Sequence, residues 1–181
     1  MNRSAYLFVA IHLFLTACGT SKTYFTAAIK RSVEASNQKL DKIQFYADRD
    51  IVLQREMEKE DTKVYSGKVN IENGHYVNTI ILKKNTRGVC TVVTNNTVRI
   101  SFEQGNNKFL SFGETKNSNP EDPYRILATK WVDDYGIVSY EGIEYHIQPD
   151  GTDASLMIKT KFYNKLIREE REMKGRKVAK K

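Results

Sequence analysis

Two pairs of carboxylates are the residues of this sequence whose types and spacing could do chemistry. Asp133 and Asp134 are adjacent, and Glu141 and Glu144 are three positions apart. Paired carboxylates perform general acid–base catalysis on glycosidic bonds. Each pair, however, lies at or beside a predicted hairpin turn, where solvated acids are expected. The sequence therefore predicts no catalytic residue, and hydrolysis is the least favoured function.

The remaining reactive side chains do not form a recognisable site. Zinc needs three or four Cys or His ligands close together, whereas Cys90, His75 and His146 lie in separate segments. No calcium loop is predicted either, because the Asp150-Gly151-Thr152-Asp153 segment lacks the further acids of an EF-hand. Cys90 lies in a β-branched apolar run, which predicts a buried, free thiol. We expect no metal site and no cofactor.

Cys18 ends an N-terminal apolar stretch in a characteristic order. Arg3 is the one cation before this stretch, which runs from Ala5 to Leu15 with His12 as its only interruption. It is too short to span a bilayer and has the length of a signal-peptide core. The tetrapeptide Leu15-Thr16-Ala17-Cys18 resembles the lipobox of bacterial lipoproteins, in which the cysteine receives a diacylglyceryl group and signal peptidase II cleaves just before it.

The resemblance implies a membrane anchor. It implies removal of residues 1–17 as a signal peptide, lipidation of Cys18 with fatty chains such as palmitate, and a short tether over residues 18–25. More than one acyl chain gives firm attachment. Gly19 is not the Asp that retains many lipoproteins at the inner membrane, so the expected location is the outer membrane, facing the periplasm. No family is recognised for the rest of the sequence.

The formal net charge of +7 is confined to the C-terminal end of the sequence. Residues 1–158 carry 19 basic and 19 acidic side chains, whereas residues 159–181 carry 10 basic and 3 acidic ones. An exported protein meets little nucleic acid, so the expected counterparts are an envelope protein, anionic lipid or anionic polysaccharide. A solvated tail without a partner is the alternative. The predicted partner-binding residues are Arg168, Arg171, Lys174, Arg176, Lys177, Lys180 and Lys181.

Hydrophobic periodicity predicts a largely β domain over residues 26–174, followed by a basic tail over 175–181. A short amphipathic helix is expected near residues 26–36, and a second helix from Phe162 to Met173. Between them the apolar period is two, which predicts about ten short strands. Asn73-Gly74 and Glu141-Gly142 predict two-residue hairpin turns.

This pattern favours a mainly β fold: an antiparallel β-sandwich or a partly closed barrel with a short helix at each end. Aromatic residues concentrate near the last hairpin. If Trp131, Tyr135 and Tyr140 shared an exposed face, they could stack on sugars, although packing in the core is the commoner role of such residues.

The sequence thus favours a lipid-anchored, non-enzymatic envelope protein that acts as a scaffold or assembly component of an envelope or secretion complex. The alternative is a lipoprotein that binds carbohydrate or cell wall. A hydrolase acting in the envelope remains a third, weaker hypothesis.

Overall fold

The alternating apolar residues form strands along most of the chain in the computed structural model, which describes residues 21–57, 68–72, 74–133 and 135–168. In the strand from Thr97 to Ser101, for example, Val98 and Ile100 are fully buried and Arg99 between them is exposed. The strands are β1 (Lys22–Tyr24), β2 (Gln44–Ala47), β3 (Ile51–Met57), β4 (Lys68–Glu72), β5 (His75–Leu82), β6 (Arg87–Val93), β7 (Thr97–Ser101), β8 (Leu110–Gly113), β9 (Arg125–Ile126), β10 (Lys130–Val132), β11 (Tyr135–Tyr140), β12 (Ile143–Ile147) and β13 (Leu156–Lys159).

Two α-helices accompany the strands within the described residues. Helix α1 spans Ala27–Ala35, and the Thr26 side chain caps it by accepting a hydrogen bond from the Ile29 N–H at 3.2 Å. Helix α2 spans Thr160–Ile167, directly after β13. Short 3₁₀ turns lie at Leu40–Lys42 and Pro149–Gly151.

The strands pair in two antiparallel sheets. Over the described residues, the first sheet has seven strands in the order β1-β13-β2-β6-β7-β8-β9, and the second has six in the order β10-β11-β12-β3-β5-β4. The chain passes from one sheet to the other after β2, β5, β9 and β12. Because each sheet contains strands from both halves of the sequence, the two sheets form one folding unit.

The two predicted hairpins form with two-residue connections. Glu72 pairs with His75 across one turn, and Tyr140 pairs with Ile143 across the other. Glu141 and Gly142 both have positive φ angles, 56° and 81°. This backbone matches the right-handed twist of the flanking strands, which is why such turns favour glycine.

The core is centred on three aromatic rings from distant parts of the sequence. The Phe25 ring lies 5.1 Å from that of Phe45 and 5.2 Å from that of Tyr124, both edge-on, and all three residues are fully buried. The Phe25 N–H donates to the Leu156 carbonyl, and the Phe25 carbonyl accepts from the Tyr124 N–H, each at 2.8 Å. The segment before α1 is therefore part of the core.

The ordered domain begins earlier than the predicted tether allows. The sequence assigns residues 18–25 to a tether, but residues 22–24 form β1 along the edge of the seven-stranded sheet. Phe25, at the end of the same range, has no exposed surface. A three-residue edge strand is too short for alternation to reveal, which is why the sequence pattern missed it.

The observed architecture confirms the mainly β expectation. The two antiparallel sheets pack in a sandwich-like arrangement, and they do not form a closed barrel. The polar loop between β8 and β9 contacts α1: its Pro120 carbonyl accepts a hydrogen bond from the Ala28 N–H in the first turn of that helix.

Replacing Phe25 tests this description of the core. We expect Phe25→Ala to lower the free energy of unfolding by about 3–5 kcal/mol, because it leaves a cavity between two packed rings. The adjacent Tyr24, which is 46% exposed, provides the matched control, and Tyr24→Ala should cost less than about 1 kcal/mol. Urea denaturation followed by circular dichroism measures both. Equal losses in the two variants would contradict the burial of the Phe25 segment.

Candidate functional site

Of the predicted partner-binding residues, Arg168 lies within the described part of the chain. Arg168 directly follows α2 and is exposed. The other six predicted residues lie outside the described residues, as does the predicted lipidation site Cys18: Arg171, Lys174, Arg176, Lys177, Lys180 and Lys181.

The three aromatic residues proposed for glycan binding do not share a face. Trp131 pairs with Gly136 across β10 and β11, and its exposed ring covers that glycine, 3.4 Å from where a Cβ would stand. Tyr135 directly precedes Gly136 in β11, and neighbouring residues of a strand point to opposite faces of the sheet. The Tyr135 side chain therefore lies on the face opposite to that of Trp131. Tyr140 is buried in the core. Of the three, Tyr135 lies in a groove on the outer face of the sheet.

This groove, on the outer face of the six-stranded sheet, has a volume of about 420 Å³. Register places its residues together: His146 pairs with Gln54 across β12 and β3, and Gln54 pairs with Thr79 across β3 and β5. We call it the outer groove. The residues used below to argue its chemistry are Gln54, Glu56, His75, Tyr135, His146 and Gln148.

Polar and aromatic groups of the outer groove are arranged in contact with one another. The centroids of the Tyr135 and His146 rings lie 6.0 Å apart, and the two ring planes are tilted by 33°. His75 Nδ1 lies 3.7 Å from a Glu56 carboxylate oxygen on the neighbouring strand. The Gln54 amide donates to the Thr79 hydroxyl at 3.4 Å. The groove thus offers an aromatic surface flanked by amide, imidazole and carboxylate groups.

A buried polar pair lies beneath this sheet face. The Tyr145 hydroxyl donates to the Asn78 side-chain carbonyl at 2.9 Å, and neither residue has exposed surface. The Arg55 guanidinium lies 5.9 Å from the centroid of the Tyr145 ring. Buried hydrogen-bonded groups have one favourable arrangement, so this pair fixes how β5 and β12 are positioned on either side of β3.

Tyr140 connects two loops rather than facing a ligand. Its hydroxyl donates to Glu103 Oε1 at 2.5 Å, and Lys108 bonds both Glu103 at 3.2 Å and Glu141 at 2.7 Å. Burial, followed by the hydrogen bond to Glu103, raises the pKa of the Tyr140 phenol far above its usual range. The hydrogen bond to Glu141 raises the pKa of Lys108. This network joins the β7–β8 loop to the β11–β12 turn.

A small apolar cleft lies between the sheets beside this network. It has a volume of about 220 Å³, and its apolar lining includes Leu53, Ile80 and Phe102. The buried Tyr140 ring forms part of its wall. The cleft is an extension of the hydrophobic core.

The carboxylate pairs considered for catalysis are engaged separately. Glu141 bonds Lys108, whereas Glu144 bonds Lys130 at 2.9 Å on the outer face of the six-stranded sheet. Asp133 is exposed in the turn between β10 and β11 with a φ of 51°, and Asp134 lies outside the described residues. Glu141 and Glu144 therefore face different lysines and do not form a joint acid–base pair.

Of the outer-groove residues, the sequence singled out Tyr135 as a possible sugar-binding residue. His146 alternates along its strand with Glu144 and Gln148, a pattern typical of a solvent-exposed face, and it is exposed in the structure. Gln54, Glu56 and His75 were missed as groove residues. Alternation shows which face of its own strand a residue occupies, but only the register between strands shows which residues meet.

Over the part of the chain that the structure describes, no three His, Cys, Asp or Glu side chains come together as a metal site, and no helix is long and apolar enough to cross a bilayer. Comparison with protein-family models, with curated proteins and with solved structures finds no match for this chain.

The reactivity of Cys90 is a direct test of the site description. Cys90 is buried, as predicted, and burial raises the pKa of its thiol from 9.0 to about 11. At neutral pH this lowers the thiolate fraction about 100-fold. In the Cys18→Ser chain, we expect Ellman's reagent to react with the native thiol at least about 100 times more slowly than with the urea-unfolded thiol. Comparable rates would show that Cys90 is accessible and ionised.

Proposed function

We propose that this protein is a lipid-anchored, non-enzymatic component of the cell envelope that binds a partner protein within an envelope or secretion complex. One observation supports this proposal above all: the two ends of the described chain lie side by side. The Ser21 hydroxyl donates to the Thr160 hydroxyl at 2.7 Å, and the Thr160 N–H donates to the Ser21 carbonyl at 2.9 Å. Residue 21 is three positions after Cys18.

The short distance between Cys18 and Ser21 limits how far the domain can move from its membrane. Three extended residues span about 10 Å, less than half the reach of the predicted tether. The lipid proposed for Cys18 thus holds the domain close to the bilayer, most simply the outer membrane on its periplasmic side. Confinement to a surface raises the effective concentration of the domain near a membrane-bound partner.

The basic segment after α2 is the proposed contact element. It begins at Arg168, the first residue after a helix of eight residues that starts beside Ser21. At 1.5 Å per residue, this helix is about 12 Å long. The segment is therefore carried on the membrane-proximal part of the domain, where a partner embedded in the same membrane can meet it.

Crosslinking in intact cell envelopes, followed by mass spectrometry, tests the scaffold proposal. We expect the full chain to capture one defined envelope protein, and a chain ending after Ile167 to lose it. A full-length chain with glutamine at Arg171, Lys174, Arg176, Lys177, Lys180 and Lys181 is the matched control for charge, and it should also lose the partner. Capture should weaken as salt rises from about 0.1 to about 1 M, because the screening length falls from about 10 to about 3 Å.

Equal crosslinking by all three chains would remove the basic segment from the proposal. Mass spectrometry of the N-terminal peptide tests the anchor independently. A peptide beginning at Cys18 and carrying acyl chains is the expected result, and a Cys18→Ser chain should remain uncleaved. An unmodified Cys18 would contradict the anchor.

Binding of carbohydrate or cell wall is a second candidate, favoured by the outer groove. Sugars present hydroxyl groups at their edges and C–H groups on their faces. The Tyr135 and His146 rings offer an aromatic surface for the face of a sugar, while the Gln54 and Gln148 side chains offer donors and acceptors for its hydroxyls. The absence of a deep apolar lining suits a polar ligand better than an apolar one.

Equilibrium binding to purified peptidoglycan fragments distinguishes this candidate. We expect Tyr135→Ala to weaken binding about fivefold, corresponding to an aromatic contact worth about 1 kcal/mol. Trp131→Ala is the matched control, because Trp131 covers Gly136 on the other face of the sheet, and it should leave binding unchanged. If Trp131→Ala weakens binding and Tyr135→Ala does not, the groove is not the site.

A further inference from the structure

A cluster of cations lies where the two ends of the described chain meet. Lys22 at the start of β1 is the register partner of Lys159 at the end of β13, and α2 follows Lys159 directly. We call this surface the basic end face. Its cations are the exposed Lys159, Lys161, Lys165 and Arg168 and the half-buried Lys22, whose ammonium lies 4.7 Å from the centroid of the Tyr46 ring.

Helix α2 presents its cations on one side. Lys161, Lys165 and Arg168 are exposed and follow one another at spacings of four and three residues, so they form one stripe along the helix. The opposite side packs inward, with Leu166 buried and Phe162 half-buried against the core. The helix is therefore oriented by its apolar side, and the direction of the cationic stripe is fixed.

The basic end face contains no acidic side chains of its own. Residues 21–33 and 154–168, which include β1, β13 and α2, have neither Asp nor Glu. Glu34, on the helix that packs against α2, is bonded to Lys30 at 2.8 Å. The five cations of the face thus have no carboxylate partner within these two segments.

One large apolar residue of α2 is exposed. Ile167 is 58% exposed, and it lies about 100° around the helix from Arg168, between the cationic stripe and the apolar side. A helix that combines cations with an exposed large apolar side chain has the composition of helices that lie on membrane surfaces, where cations meet headgroups and apolar groups enter the acyl boundary.

We propose that the basic end face docks on anionic phospholipid headgroups of the membrane that carries the anchor. This inference rests on the lipid anchor of the proposed function, because Ser21 is within about 10 Å of a lipidated Cys18. At that range the face lies within about one screening length of the headgroups at 0.1 M salt. The acyl chains hold the protein on the membrane, and the cations set which side of the domain faces it.

Lysine acylation of the lipidated protein in nanodiscs tests this orientation. Nanodiscs of phosphatidylcholine are compared with nanodiscs containing phosphatidylglycerol. Lys22, Lys159, Lys161 and Lys165 should be acylated several-fold more slowly in the anionic nanodiscs, and high salt should abolish the difference. Lys84, in the connection between β5 and β6 at the opposite end of the seven-stranded sheet, is the internal control. Equal rates for the face lysines in both nanodiscs would overturn the proposal.

Vesicle partition of the unlipidated mature chain, residues 18–181 with Cys18→Ser and without the apolar N-terminal segment, supplies a second measurement. Each cation near an anionic surface is worth about a fivefold change in partition. Lys161→Gln with Lys165→Gln should therefore weaken binding to phosphatidylglycerol-containing vesicles about 25-fold relative to the parent chain. Lys83→Gln with Lys84→Gln removes the same charge from the β5–β6 connection, at the opposite end of the seven-stranded sheet, and should change partition by less than about twofold.

The two proposals fail in different ways. An N-terminal peptide without lipid would overturn the anchor, while the vesicle measurement would still decide the basic end face. A lipidated protein whose face lysines ignore lipid charge, and whose partition is the same in both double variants, would overturn the docking face and leave the anchor intact.

Discussion

The position of Phe25 is the constraint on which the rest of the structure depends. Its backbone bonds both Leu156 and the segment at Tyr124, and its ring packs between Phe45 and Tyr124. Burying an aromatic side chain of this size contributes about 2–3 kcal/mol, enough to hold a three-residue strand in place. Because Phe25 is fixed, β1 must lie along β13, and residue 21 must lie beside Thr160. The directions of the anchor and of α2 follow from this one segment.

The two sheets divide the surface of the protein between them. Strand β1, which continues from the proposed anchor, lies at the edge of the seven-stranded sheet, whereas the outer groove lies on the outer face of the six-stranded sheet. The core faces of the two sheets pack on each other, so the outer face of one points away from the other. A ligand in the groove therefore meets the six-stranded sheet without competing with β1 or α2 for the same surface.

Local patterns in the sequence predicted much of this fold, and their failures have a common cause. Ten strands of four or more residues were detectable by alternation, and the two-residue hairpins by their turn residues. Strands β1, β9 and β10 have three residues or fewer and were missed, because so short a strand shows no period. The sequence also did not show that the aromatic residues near the last hairpin lie on different faces, for a related reason. Tyr135 and Tyr140 are in one strand but five residues apart, so they point to opposite faces.

The fold brings cations that are far apart in the sequence close together. In the sequence, the basic excess begins at residue 159 and is far from Cys18. In the fold, Lys159 is the partner of Lys22, four residues after the proposed lipid. Acyl chains attach a protein firmly to a membrane but leave it free to rotate about its tether. Cations on one side of a protein bind anionic headgroups weakly, but only when that side faces the membrane. In the proposed arrangement, a short tether limits the distance of the domain from the membrane, and the basic end face limits its orientation.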